Sequence, residues 1–204
     1  MRVTREKAAE NRERIVLAAS RLFRDKGFDG VGVDAIMDAV GLTHGGFYRH
    51  FGSKEALAEE AVAQGLAAGA ERLAGLSALD RFVAGYLSPA HRDDRSGGCV
   101  VAALGGDIAR QGPGVRHSLT GYVRGQLDRI AGRITGRGEK ARREQAIATL
   151  AGLVGALMLA RAVDDPELSD EILEAGRNVF GREQVSDDEG QRSEPLSRLG
   201  EGQG

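Results

Sequence analysis

From about residue 6 to residue 180, apolar residues recur at intervals of three and four, and no stretch sustains β-branched alternation, so the pattern predicts an all-α chain. In the first segment Ile15, Ala18, Ala19, Leu22 and Phe23 share a face, while Arg12, Glu13, Arg21, Arg24 and Asp25 fall elsewhere. That segment predicts a helix over 6–26, stopped at Gly27. Residues 33–40 make two turns, opened by Gly32 as a weak cap and closed by Gly41. Thr43 can cap a short helix reaching Phe51, and Ser53 a longer one from Lys54 to about residue 73. Further helices are expected over 78–87, 98–111, 115–134, 139–163 and 167–180, about nine in all, separated by joints rich in Gly, Pro and Asp.

Composition narrows the class. The 204 residues carry 28 Lys+Arg against 30 Asp+Glu and are 41% hydrophobic, which suits a folded chain with a sizeable core. The 30 glycines have no three-residue period and prolines number only 4, which excludes a collagen-like fibre. A single cysteine excludes an internal disulfide framework, and with no charged-then-apolar leader the expected location is a reducing cytoplasm. The uncharged stretch 146–160 falls short of the ~20 apolar residues a bilayer span needs, so no membrane is expected as a partner, and this run is read as core or subunit contact.

The front of the chain differs from the rest. Residues 1–55 hold ten Lys/Arg against eight Asp/Glu, a surplus of two, and five of the nine aromatics: Phe23, Phe28, Phe47, Tyr48 and Phe51. They are read as one domain, 1–55, with its own core; 56–182 is a second, and 183–204 a frayed polar tail.

Residues 33–51 have the form of two short helices joined by a tight turn and braced by a longer preceding helix, the unit that lets one helix enter a DNA major groove. Gly41-Leu42 supplies the turn and an apolar plug. Ile36, Val40, Phe47 and Phe51 hold the pair to the first helix. Thr43, His44, Tyr48, Arg49 and His50 are left to face outward, the ring of Tyr48 packing while its hydroxyl reaches a phosphate, and Gly45 and Gly46 permit close backbone approach. Lys54 opens the next helix, where free N–H groups beside an ammonium form a phosphate site.

The run Gly41-Leu-Thr-His-Gly-Gly-Phe-Tyr-Arg-His-Phe-Gly-Ser-Lys-Glu-Ala-Leu57, preceded by Gly27-Phe28 and Val33-Asp-Ala-Ile36, resembles the TetR/AcrR family of bacterial one-component transcriptional regulators over about residues 12–57. The resemblance implies a homodimer whose third helix reads an operator through Thr43, His44, Gly46, Tyr48 and His50, with Lys54 on a phosphate and Arg49 reaching base or phosphate. Gly32 departs from the family's usual Ser or Thr. Arg2, Arg5, Lys7, Arg12 and Arg14 form either a solvated face or an arm toward DNA.

A regulator needs an input, and the second domain has enough helix to enclose a cavity. Phe82 and Tyr86 share a face; Leu104, Ile108, Leu119, Tyr122 and Val123 are further candidates for its lining. By resemblance the ligand is a small organic molecule. Cys99 opens an apolar helical run and is a candidate electrophile or redox sensor, against the alternative of a small buried hydrophobe. His91, Asp93, Cys99 and His117 lack close ligand spacing, so neither metal nor cofactor is expected. The run 146–160, apolar nearly all round, implies burial on more than one side. The resemblance makes it and 167–180 a four-helix dimer contact through Leu150, Leu153, Val154, Leu157, Ile172 and Val179. A two-fold dimer requires a near-palindromic operator with half-sites ~34 Å apart or a multiple.

The expectation is therefore a ligand-responsive DNA-binding repressor, not an enzyme. An architectural DNA-binding dimer that senses nothing and a small helical enzyme are the competing classes. The first needs a filled second domain, and the second a convergent acid/base or nucleophile set, which the sequence does not offer.

Overall fold

The computed structural model describes residues 5–74, 78–135 and 138–181. Arg2 and the expected tail at 183–204 lie outside the described residues. Those described form ten helices: α1 (Arg5–Lys26), α2 (Val33–Ala39), α3 (His44–Phe47), α4 (Lys54–Ala74), α5 (Leu79–Tyr86), α6 (Pro89–Asp93), α7 (Val100–Ile108), α8 (Pro113–Ala131), α9 (Glu139–Ala162) and α10 (Pro166–Phe180).

Local chemistry sets most of the ends. Gly27 stops α1 with φ +74°, its N–H bonded to the Phe23 carbonyl at 2.8 Å. The Ser53 hydroxyl accepts the Ala56 N–H at 3.1 Å at the start of α4, and Asp165 accepts the N–H groups of Glu167 and Leu168 ahead of α10. Thr43 precedes α3 as expected but makes no side-chain cap, because its hydroxyl receives no backbone N–H. The extra helix α6 is a single turn set by Ser88, which accepts the His91 N–H, and by Pro89 at the first position.

Two apolar cores result. The first joins Ile15, Ala19 and Phe23 of α1, Ile36 and Met37 of α2, Phe47, Phe51, and Leu57, Ala61 and Leu66 of α4. It also takes Val100, Leu104 and Ile108 from α7 and Val115 from α8, so the expected boundary at 55/56 falls inside α4 and beneath a core that spans it. The second joins Phe82, Val83 and Tyr86 with Leu127, Ile130, Ala146, Leu153, Leu157, Ala160 and Leu173. Each fully buried leucine contributes about 1.5–3 kcal/mol of transfer free energy.

Among the described residues α9 is the one helix long and apolar enough to cross a membrane by length and composition, with mean hydropathy 1.5 over an 18-residue window. The stretch 146–160 looked too short because the helix extends beyond it at both ends. α9 packs against α10, α8 and α7, yet only 28% of that window is buried inside the chain. Two glycines of α9 divide their labour. A Cβ on Gly152 would strike the Phe180 ring at 2.1 Å, so this glycine seats α10, whereas Gly155 has nothing within 4 Å.

Candidate nucleic-acid interface and cavity

The turn between α2 and α3 is built from backbone. Gly41 sits at φ +67°, where an L side chain is strained, and the N–H groups of Gly41 and Leu42 close onto the carbonyls of Asp38 and Met37 at 3.0 and 2.9 Å. Two arginines of α1 brace it. Arg14 Nη2 donates to the Val40 carbonyl at 2.7 Å. Arg12 makes two bonds to Glu60, at 2.6 and 2.5 Å, and stacks 4.6 Å over the Phe51 ring. Both are engaged within the chain, which removes them from the expected basic arm. Lys7 pairs with Glu10 at 2.8 Å, and Arg5 is exposed.

α3 is a single turn, shorter than the expected helix through Phe51. Gly45 and Gly46 are poor helix formers, and the chain tightens after Phe47 with the Arg49 N–H on the Gly46 carbonyl and the His50 N–H on the Phe47 carbonyl. Phe47 is wholly buried and anchors this turn. Thr43, His44, Gly45, Tyr48 and Arg49 are exposed, and Gly46 and His50 half-buried, so the expected contact residues lie along one short ridge. Tyr48 is 64% exposed, its ring edge-on to Phe47 at 5.2 Å, so it stands out from the surface and does not pack inward. His44 Nδ1 is paired with Asp34 of α2, a carboxylate on the outer face that no spacing rule had marked. Lys54 Nζ donates to the Phe28 carbonyl at 2.6 Å, tying the start of α4 to the α1–α2 loop.

In the body, a cavity of 370 Å³ lies between α4, α5, α6 and α8. Phe82, Tyr86, Tyr122 and Cys99 line it, together with Gly65, Leu66 and Gly69 of α4 and with Gly85, His91, Asp94 and Val100. Leu104 and Ile108 do not. Both are in the first core, where α7 turns them toward α1 and α4, and Leu119 packs partly buried against the same core. The polar groups of the wall are largely satisfied internally. Ser88 Oγ donates to the Gly85 carbonyl, and Asp94 accepts the Gly97 N–H. His91 Nε2 accepts the Cys99 N–H at 3.0 Å, so Nδ1, 2.7 Å from the Tyr86 carbonyl, carries the proton. Burial and the neighbouring Cys99 push the Tyr86 hydroxyl well above the usual tyrosine range.

This wall is joined to the helix-turn-helix end. Arg24 of α1, 9% exposed, donates from Nη1 to the Gly98 carbonyl and from Nε to the Ser20 carbonyl, both at 3.0 Å. Nothing in the local pattern of α1 distinguishes Arg24 from a solvated arginine. No group of three or more His, Cys, Asp or Glu able to hold a metal occurs among the described residues.

The residues expected at a dimer contact split. Leu153 and Leu157 are fully buried in the protomer's second core, which excludes them from a subunit surface. Leu150, Val154 and Ile172 are half-buried and Val179 is 60% exposed. Ile147, Met158, Leu159 and Leu168 are large exposed apolar groups on the same two helices that the expectation had not named.

Known proteins resemble this chain in both halves. Residues 15–61 match the model of the tetR family of bacterial regulatory proteins. Over 48 residues the chain is 46% identical to an uncharacterized HTH-type transcriptional regulator, YerO, of Bacillus subtilis (strain 168), and over 54 residues it is 46% identical to the HTH-type transcriptional regulator LmrA of the same strain. These matches take in 24% and 26% of this chain and only 17% and 29% of the two relatives. A solved structure extends the likeness beyond that segment: a TetR transcriptional regulator from Chloroflexus aurantiacus J-10-FL superposes with a TM-score of 0.73 at 29% identity, covering 86% of this chain and 94% of the other. The likeness runs from the helix-turn-helix, where residues 15–61 match the tetR family of bacterial regulatory proteins, into the helical body behind it, which has the fold of a TetR transcriptional regulator.

Proposed function

We propose that this chain acts in the cytoplasm as a homodimeric repressor that leaves its near-palindromic operator when a small organic molecule enters the body cavity. The observation that carries the reading is the α2–α3 unit, whose turn is fixed by Gly41, Arg14 and the first core while its ridge of Thr43, His44, Gly46, Tyr48, Arg49 and His50 is left to solvent. These are the groups assigned to bases and phosphates, with Lys54 on a phosphate through the ammonium protons not given to Phe28. The second copy is assigned to the apolar side chains that the chain leaves exposed or half-buried on α9 and α10, Ile147, Leu150, Val154, Met158, Leu159, Ile172 and Val179, with Gly155 allowing close approach. Phe82, Tyr86 and Tyr122 are assigned to the ligand. α4 supports the coupling, since it begins shortly after α3 in the chain and passes along the cavity wall at Gly65, Leu66 and Gly69, and Arg24 ties α1 to the same wall. A coupling of about 1–3 kcal/mol suffices.

The test is selection of double-stranded DNA from a random pool, followed by anisotropy titration of the selected sequence. Binding as a dimer to a two-fold sequence, weakening as salt rises, supports the reading. A chain that stays monomeric and selects no sequence at low ionic strength overturns it. An affinity that no compound in a small-molecule library lowers removes the ligand-response part alone.

A further inference from the structure

The cavity wall contains one reactive group that the ligand-response reading leaves unused. Cys99 is the single cysteine, 9% exposed, and stands immediately before α7. Two nearby donors lack an oxygen or nitrogen acceptor. Tyr86 is 8% exposed, and its buried hydroxyl has only the Cys99 sulfur, a weak acceptor, beside it. Arg161 gives Nε to the Arg92 carbonyl and Nη2 to the carbonyls of His91 and Asp94, but its Nη1 is buried with no partner. Both groups adjoin the sulfur electrostatically: burial first, and then negative charge on the sulfur, holds Tyr86 protonated, and the same charge offsets part of the burial that lowers the Arg161 guanidinium below its ordinary range. Native chains rarely leave two buried donors unanswered in one place, and sulfur is too weak an acceptor to answer both.

An oxygen atom bonded to that sulfur is the missing acceptor. We propose that Cys99 is a modification site for organic hydroperoxides, converted to a sulfenic acid whose oxygen is stabilised by the Tyr86 hydroxyl and Arg161 Nη1. The thiolate sulfur attacks the terminal peroxide oxygen, an S–O bond forms as the O–O bond breaks, and sulfur gives up two electrons. The departing alkoxide takes up the proton lost by the thiol, so thiol plus hydroperoxide becomes sulfenic acid plus alcohol. Leu66, Phe82 and Val100 make the approach to Cys99 apolar, which favours an alkyl or aryl hydroperoxide over hydrogen peroxide. Tyr86 and Arg161 are positioning residues. The adjoining Gly98 carbonyl accepts Arg24 of α1, so the modification lies one residue from a tie to the DNA-binding end. That last consequence rests on the function proposed above; the chemistry at Cys99 does not.

The experiment uses the full chain, cumene hydroperoxide or hydrogen peroxide, and dimedone as the trap, read by intact mass. One dimedone adduct on the wild type, formed at least tenfold faster with cumene hydroperoxide than with hydrogen peroxide, and none on Cys99→Ser, is expected. Tyr86→Phe should trap at least fivefold more slowly while melting no lower than wild type, because the buried hydroxyl it removes has only a weak sulfur acceptor. Absence of an adduct on the wild type, equal rates for the two peroxides, or a Tyr86→Phe rate equal to wild type overturns the proposal. DNA titration of the reduced and oxidised forms is a separate arm. Affinity unchanged on oxidation refutes the link to α1, and failure of the reduced form to bind DNA counts against the function and leaves the mass result to decide the site.

Discussion

Leu157 and Leu159 stand two residues apart on α9 and ought to behave as though they belonged to different molecules. Leu157 is 0% exposed within the second core, and Leu159 is 58% exposed on the stripe assigned to a second copy. Replacing Leu157 by Ala removes three buried carbons, about 2.4 kcal/mol of transfer free energy at ~0.8 kcal/mol each, plus a term for the cavity left behind, so the expected loss is roughly 3–4 kcal/mol of folding stability. Replacing Leu159 by Ala should cost the single chain under ~1 kcal/mol. In a two-fold dimer, however, it deletes two newly covered side chains, worth about 1 kcal/mol apiece, and weakens association roughly 30-fold. Denaturant unfolding at a concentration below dimer dissociation reads the first quantity, and sedimentation velocity across a concentration series reads the second. The reasoning fails if Leu157→Ala unfolds within ~1 kcal/mol of wild type, or if Leu159→Ala leaves self-association unchanged.

Three further outcomes follow from the geometry. Asp34→Asn removes one carboxylate per protomer from the face assigned to phosphates in the proposed function and frees His44, so operator affinity should rise about 2- to 10-fold at low salt, with the gain shrinking at high salt; a loss of affinity in the anisotropy titration would mean that Asp34 positions His44 for DNA. Gly41→Val places a β-branched residue at φ +67° and should cost about 1–2 kcal/mol, a melting shift of roughly 2–8 °C by calorimetry, and an unchanged melting point would contradict the backbone argument. Gly85→Leu enters open space, since a Cβ there meets nothing within 4 Å; melting and DNA affinity should be kept while ligand-induced release is lost, and release at the wild-type ligand concentration would place the ligand elsewhere.

All the helices but the single turn of α6, and their order, were legible because Ile15, Ala19 and Phe23, or Ala146, Leu153 and Leu157, repeat at a spacing only a helix turns to one side. The helix-turn-helix was legible because Gly41 and Leu42 leave few ways to join two short helices. Periodicity does not say which neighbour receives an apolar face, however. α7 is pressed between two cores, and the same three-to-four spacing that groups Leu104 with Ile108 gives no sign that they turn toward α1 and not toward Phe82. Likewise periodicity puts Leu153 and Leu157 on one face of α9 and Leu159 on another, but does not say which of these faces the rest of the chain covers. Long-range polar ties left no trace at all: Arg12 with Glu60, His44 with Asp34, and Arg24 with the Gly98 carbonyl join residues whose charges read locally as a wetted surface. α3 fell short of its expected length because Gly45 and Gly46 withhold the propensity that four more helical residues would need.

Helix α4 is a rigid lever with its two ends in different settings. Lys54 and Gly69 are roughly 22 Å apart along it at ~1.5 Å per residue. A pivot of about 5° at the Gly69 end swings Lys54 through roughly 2 Å, and a mirrored swing in a two-fold mate changes the separation of the reading ridges by up to about 4 Å against a groove repeat of ~34 Å. Under the proposed function, a guest molecule would have no need to unfold anything in order to spoil the fit to DNA.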